Sequence, residues 1–293
     1  MKKRIRLSFS ARNSLIGLFF MTPFIIGTFI FFAYPVITSL LLSFGHTDKN
    51  SAGLKIIFTG FDNFSNAFVT DTIFVPRFLA SVRDVVIETP LIVIFSLLIA
   101  IALSKIGKFK GFFRVALLLP FLIGSGNVLQ QLMSIGVDEN VLVFSQSALS
   151  DGITNLLGSE IGGVIDLFFS KIVTVLWSSS VQIFLFLSAI QSINPALFEA
   201  ARIDGATEYD IFWKVTLPTV LPILLLNTIY TIINTFTSAT NPLLSYIKNQ
   251  SVISGNHGYS AAMGWIYFAF ILLFIGIVTF IISRCIKATF ASR

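Results

Sequence analysis

Long uninterrupted apolar runs constrain this 293-residue chain more than any other feature. A bilayer core about 30 Å thick is crossed by roughly 20 apolar residues of helix. Six segments meet that length: Leu15–Phe44, Val85–Ser104, Arg114–Ile135, Ile172–Ile190, Leu217–Ile247 and Tyr259–Ser283. Only 12% of the residues are charged and 55% are hydrophobic, against about 25% charged in an ordinary soluble domain. So little charge cannot cover a water-facing surface, so the outer surface is expected to meet lipid. The expected fold class is an all-α integral membrane protein with six transmembrane helices. Its parts are a tail over residues 1–14, a membrane domain over 15–283 and a tail over 284–293.

The first run, about 45 Å long as a helix, must tilt, kink or protrude, and Pro23 and Pro35 are its natural kink points. It is too long for the apolar part of a cleaved leader, and no small-residue cleavage site follows it.

Lysine and arginine set the orientation. Six spans put both termini on one side, and fourteen of the twenty basic residues fall there. They cluster in the N-terminal tail (Lys2, Lys3, Arg4, Arg6, Arg12), in the connection from Lys105 to Arg114 and in the C-terminal tail. Both termini are therefore expected in the cytoplasm. These membrane anchors account for the net charge of +6 without nucleic acid as a partner. A single cysteine, Cys285, excludes an internal disulfide, and His46 and His257 lie too far apart in the sequence to suggest a metal site.

No ionisable residue is expected deep within a span, with Glu88, near the outer end of the second, as the marginal case. Proton-coupled carriers place such groups inside the membrane, so a transport role would draw its energy from elsewhere. On the outer side, "FTGFDNFSNAF" spaces Phe61, Phe64 and Phe68 three and four apart. It reads as a short amphipathic helix, lying on the membrane or packed on the span bundle. The connection over 136–170 carries Asp138, Glu139, Asp151, Glu160 and Asp166, as a solvated acidic loop or a partner-facing one.

One cytoplasmic connection differs in kind. "SINPALFEAARIDGATEYDIFWKVTLP", over 194–218 at its core, is rich in acids and sharply punctuated. Asn194 fits an N-cap, Pro195 the first helical position and Gly205 the position past the end. "TEYD" from Thr207 is a capping box with Asp in place of Glu. The segment reads as two short helices joined by a glycine elbow, whose apolar Leu197, Ile203, Ile211 and Phe212 need a place to bury. That place is a groove of a partner or the cytoplasmic ends of the spans.

The same residues resemble the EAA loop of ABC importer permeases. There E-A-A is followed by three residues, G, nine residues, I, one residue and L-P. Here Glu199-Ala200-Ala201, Gly205, Val215 and Leu217-Pro218 keep that spacing, with Val215 for isoleucine as the departure. "LFFMTPFIIGTFIFFAYPVITSLLLSF", "FFRVALLLPFLI" and "GYSAAMGWIYFAFILL" are similar to spans of the carbohydrate-uptake type, the maltose- and glycerol-phosphate-type membrane subunits. "TSATNPLLSYI" departs from the Gly-Gly-Pro stretch that many relatives carry where the fifth span exits, which leaves the solute class less secure than the fold.

The resemblance implies a type I importer permease fold in a bacterial or archaeal cell membrane. Implied partners are a second permease subunit in a heterodimer, two ATPase subunits and an extracellular solute-binding protein. It implies an ATPase-coupling role for Glu199, Ala200, Ala201, Ile203, Asp204, Gly205, Leu217 and Pro218. It implies no cofactor on this chain, with ATP and Mg²⁺ held by the partner ATPase; the chain has no GxxxxGK[ST] loop of its own. The expected cargo is a sugar or oligosaccharide. Alternatives are another polar solute, such as glycerol phosphate, a peptide or an ion, or a membrane scaffold without transport. No paired carboxylates, HExxH or Ser/His constellation in the spans favours an enzyme. Uncharged polar residues within spans are candidates for the solute path: Asn127, Gln130 and Gln131 in the third, Gln182 in the fourth, Asn227, Asn234, Thr235 and Asn241 in the fifth. The competing role for each is to join helices, at about 0.6 kcal/mol apiece.

Overall fold

The computed structural model describes residues 9–47, 56–105, 175, 178–238 and 241–291. In chain order come α1 (Phe9–Thr28), a π-turn (Phe29–Ala33), α2 (Tyr34–Ser43) and the strands β1 (Gly45–Thr47) and β2 (Ile56–Phe58). Then follow α3 (Asp62–Ser65), a π-turn (Asn66–Thr70), α4 (Phe74–Lys105), α5 (Ser180–Gln191), α6 (Pro195–Ile203) and α7 (Glu208–Ile211). A third π-turn (Phe212–Thr216) leads into α8 (Leu217–Phe236), α9 (Pro242–Val252) and α10 (His257–Ala291).

Two of the π-turns have a sequence cause. A proline lacks the N–H that bonds residue i−4, and its ring crowds that carbonyl. Phe31 and Lys214, four residues before Pro35 and Pro218, both lie inside a π-turn, where the widened turn relieves the clash.

Among the described residues, four stretches are long and apolar enough to cross a membrane: Ile16–Ser43, Phe74–Lys105, Glu208–Phe236 and His257–Ala288. Helices α5 and α6 pass that test only together, bent by 66° at the break between them. The expected third span, 114–135, lies outside the described residues, as do most of the residues expected to begin the fourth.

Three boundaries differ from the sequence expectation. The second span starts at Phe74 rather than Val85, because a cap fixes it: Asp71 accepts from the backbone N–H groups of Ile73 and Phe74 at 2.7 and 3.0 Å. Glu88 therefore falls near the helix midpoint, where it is only 9% exposed. The fifth span ends at Phe236, short of Ile247, and α9 restarts at Pro242. A residue before proline is steered away from helical backbone, and Asn241 Nδ2 caps the freed carbonyl of Phe236 at 3.0 Å. The last helix runs from His257 to Ala291, beyond both ends of the expected Tyr259–Ser283.

Two compact units divide the chain, one of residues up to Phe78 with Pro242–Phe270, the other of Leu79–Asn241 with the rest of α10. In the second, Val93, Leu97, Ala100 and Leu103 of α4 meet Ile183, Phe186, Leu187 and Ile190 of α5 and Val220 of α8. The spacings of three and four residues put each set on one helix face. In the first unit, Phe44, Phe61 and Phe64 form an aromatic cluster, with ring centroids 5.1 to 5.8 Å apart. Ala67 is fully buried nearby, while Phe61 and Phe68 remain exposed, so the "FDNFSNAF" segment packs against its own unit through only part of its apolar face. By contrast, Phe19, Phe20, Phe24 and Phe31 are 72 to 82% exposed; a helix apolar all round with no burial in its own chain is suited to lipid or to another membrane subunit.

Candidate functional site: a bent loop

The loop over 194–218 is built by local chemistry. Asn194 adopts extended backbone and its Oδ1 accepts from the N–H of Ala196 at 3.0 Å, opening α6. The helix closes in a Schellman arrangement. The N–H of Gly205 bonds the carbonyl of Arg202 at 3.1 Å, and that of Ala206 bonds Ala201 at 2.9 Å. This closure requires left-handed backbone at Gly205, whose φ is +80°. Thr207 then opens α7 with a reciprocal capping box: its Oγ1 accepts from the N–H of Asp210 at 3.2 Å, while Asp210 Oδ2 accepts from the N–H of Thr207 at 3.3 Å. Lys214 Nζ holds the other oxygen of Asp210 at 2.8 Å.

Ionic contacts tie the loop to α4. Lys105, in the last turn of α4, reaches Glu208 at 2.7 Å, and Arg202 of α6 reaches the same carboxylate at 3.3 Å. All three side chains are more than half exposed, so each pair contributes about 0–1 kcal/mol; the first orients the loop against the end of α4 and the second orients α6 against α7. Nothing in the sequence pairs Lys105 with a residue 103 positions away.

The apolar residues of the loop divide between two faces. Ile211 is 5% exposed, Phe212 is half-buried, and Phe198 packs on the core of the second unit. On the other face Ile203 is 86%, Leu197 51%, Tyr209 70% and Trp213 50% exposed. Glu199, Ala200, Asp204 and Gly205 are exposed beside them, Ala201 and Leu217 are half-buried and Pro218 is buried. The coupling candidates at 199–205 thus form one bent, accessible ridge, with Leu217 and Pro218 in its base.

Among the described residues, the solute-path candidates are distributed along the helices. Gln182 and Asn227 are fully buried and adjacent: Asn227 Nδ2 donates to the backbone oxygen of Gln182 at 3.1 Å, and Gln182 Nε2 donates to Thr231 Oγ1 at 3.2 Å. Gln182 Oε1 and Asn227 Oδ1 have no partner among the described residues. Thr231 completes this cluster one turn after Asn227, a member that sequence reasoning missed. Asn234 and Thr235 are half-buried. Asn241 is engaged at both ends of its amide, since Oδ1 also accepts from Ser81 at 2.9 Å. Asn127, Gln130 and Gln131 lie outside the described residues.

A polar junction unforeseen from sequence lies in the first unit. Asp71 Oδ2 accepts from Tyr246 at 2.7 Å and from Tyr259, while Oδ1 caps α4. Burial works to raise its pKa, but these four hydrogen bonds outweigh it and hold the carboxyl below the ordinary range. Arg77 stacks on the Tyr246 ring, 5.0 Å from its centroid, and donates to the Pro242 carbonyl at 3.3 Å.

Residues 73–291 match the family described as the binding-protein-dependent transport system inner membrane component. The chain is 27% identical to the probable ABC transporter permease protein YesP of Bacillus subtilis (strain 168), over 93% of this chain and 91% of that one. It is 28% identical to the lactose transport system permease protein LacF of Rhizobium radiobacter, over 75% and 72%. Among solved structures, a chain of a bacterial ABC transporter involved in the import of the acidic polysaccharide alginate superposes with a TM-score of 0.59 at 18% identity, covering 93% of this chain and 96% of that one. A chain of a bacterial alginate ABC transporter in complex with an alginate pentasaccharide-bound periplasmic protein also scores 0.59, at 17% identity and 96% of both chains. At these identities the structures show a shared fold, and the family match covers most of the chain. The chain belongs to the binding-protein-dependent transport system inner membrane components, the multi-pass permeases of ABC transporters.

Proposed function

We propose that this permease forms half of the path through which an ATP-driven importer moves a sugar or oligosaccharide, and that α6 and α7 couple it to a cytoplasmic ATPase. A second permease subunit completes the path. Two ATPase subunits bind ATP and Mg²⁺, and an extracellular binding protein delivers the solute. LacF, with a neutral disaccharide in its name, supports the solute class.

The observation that carries the coupling assignment is Ile203. It stands 86% exposed at the end of α6, beside the Gly205 elbow, on a charged loop. An isoleucine side chain gains about 1.5–3 kcal/mol on full burial, and no described residue of this chain buries it. A cleft in a partner would accept it, with Ala200 and Ala201 permitting close approach and Glu199 meeting a basic group. ATP-driven closure of the ATPase pair would then pull on a lever whose inner face, Phe198 and Ile211, is anchored among the spans.

The test substitutes Glu199→Lys and Gly205→Asp in the whole complex. Both variants should reach the membrane at normal levels and abolish uptake. Cysteines placed at 199, 200 and 203 in a Cys285→Ser background should crosslink to the ATPase in native vesicles. Unchanged uptake in both variants, or no capture of the ATPase at any of these positions, refutes the assignment.

A further inference from the structure

A cavity of about 560 Å³ opens in the first unit, where the end of β1, α3 with its π-turn, and the start of α10 come together. That volume lies within the range of small-molecule sites. Asp62, Asn63, Asn66, Asp71, Asn256 and Tyr259 form its wall.

Part of the wall is fixed in place. Asn63 Nδ2 donates to the carbonyls of Ser43 and Gly45 at 3.1 and 2.8 Å, and Asp71 and Tyr259 are bonded to each other. The remainder is free to bind: the side chains of Asp62 and Asn256 make no hydrogen bond among the described residues, and Asn66 makes one weak bond, to Thr70 at 3.3 Å. A primary amide offers two donors and an acceptor, and a carboxylate only acceptors. Together they match the mixed donor and acceptor edge of neighbouring sugar hydroxyls.

The charge of the wall is selective. It holds two carboxylates and one imidazole, His46, and, among the described residues that line it, no lysine or arginine. Arg77, a cation of the same unit, is turned to Tyr246 and Pro242 instead. A uronate or phosphate would meet two like charges and, among the described lining residues, no permanently charged counter-ion, a repulsive device of the kind that sets specificity. Asp71 caps the start of α4, whose 32 residues measure about 48 Å, more than a bilayer core. The connection that carries Asp71 is the first outer one expected from the sequence, so in the proposed importer it faces the side from which solute is delivered.

We propose that this cavity is a receiving subsite for an uncharged, polyhydroxylated solute, one sugar unit in size or slightly larger, and that its acidic wall turns anionic saccharides away. This rests on the importer reading above and narrows its cargo to the neutral class.

The experiment uses the permease in nanodiscs with whatever subunits accompany it. An equimolar mixture of maltotriose, arabinotriose, raffinose and trigalacturonate is followed by saturation-transfer NMR. Expected are signals from at least one neutral trisaccharide and none from trigalacturonate. Asn66→Leu and Asn256→Leu should each reduce the neutral signal at least fivefold at unchanged membrane level, and Asp62→Lys should admit trigalacturonate. Trigalacturonate binding to the parent protein, absence of any neutral signal, or a neutral signal untouched by both leucine variants overturns the proposal. Failure of the importer reading registers separately, as the absence of an ATPase in the purified complex.

Discussion

Replacing Gly205 by alanine isolates the backbone geometry of the elbow. Gly205 has φ of +80°, yet no atom lies within 4 Å of where a Cβ would sit. Steric clash therefore contributes nothing, and the whole effect is the left-handed backbone penalty of about 1–2 kcal/mol for an L-residue. A change of that size shifts a two-state population by a factor of about 5–30, because the Schellman bonds from Gly205 to Arg202 and from Ala206 to Ala201 hold only in the left-handed state. Asparagine tolerates this conformation better than alanine, and aspartate adds a negative charge near a helix C-terminus, unfavourable by about 0.3–1 kcal/mol. The expected order of function is Gly, Asn, Ala, Asp. The assay is the fraction of ATPase retained by each purified variant, normalised to permease in the membrane, together with vesicle uptake. Alanine equal to glycine in both measurements would refute the reasoning, as would losses that merely track membrane level.

Three further outcomes follow from the same geometry. Asn194→Ala removes the acceptor for the Ala196 N–H and should weaken α6 by about 1 kcal/mol, seen as faster hydrogen exchange over 195–203 with the spans unchanged. Gly258→Ala places a Cβ on the Gly45 carbonyl oxygen; overpacking of this kind costs about 1–3 kcal/mol and should lower the melting temperature in detergent, whereas Gly264→Ala, with open space around it, should not. Asp71 has its pKa depressed in the folded chain, so its stabilisation is complete above its unfolded value of about 3.9 and is lost as pH falls through the lower folded value. Acid unfolding should show that dependence, and Asp71→Asn should remove it.

How legible the chain was varied with the range of the interaction concerned. The loop from Asn194 to Pro218 could be read residue by residue, because caps, a capping box and a left-handed glycine act within six residues of chain. The N-cap, the Asp210 box and the Gly205 elbow all stand where the sequence placed them. The helix ends were misplaced where hydropathy alone had set them. Asp71 extends α4 eleven residues ahead of the apolar run, and Asn241-Pro242 cuts the fifth span short, since a hydrogen-bonding cap outranks side-chain polarity at a helix end.

The sequence by itself determined membrane residence, because no arrangement of so few charges can cover a globule, and it determined the bent form of the loop over 194–218. Tertiary structure alone decided which polar side chains act together. Lys105 with Glu208, Asp71 with Tyr246 and Tyr259, and Gln182 with Thr231 are separated by 103, 175, 188 and 49 residues. Such pairings follow from how helices pack against one another, and that packing leaves no periodic trace in a linear chain.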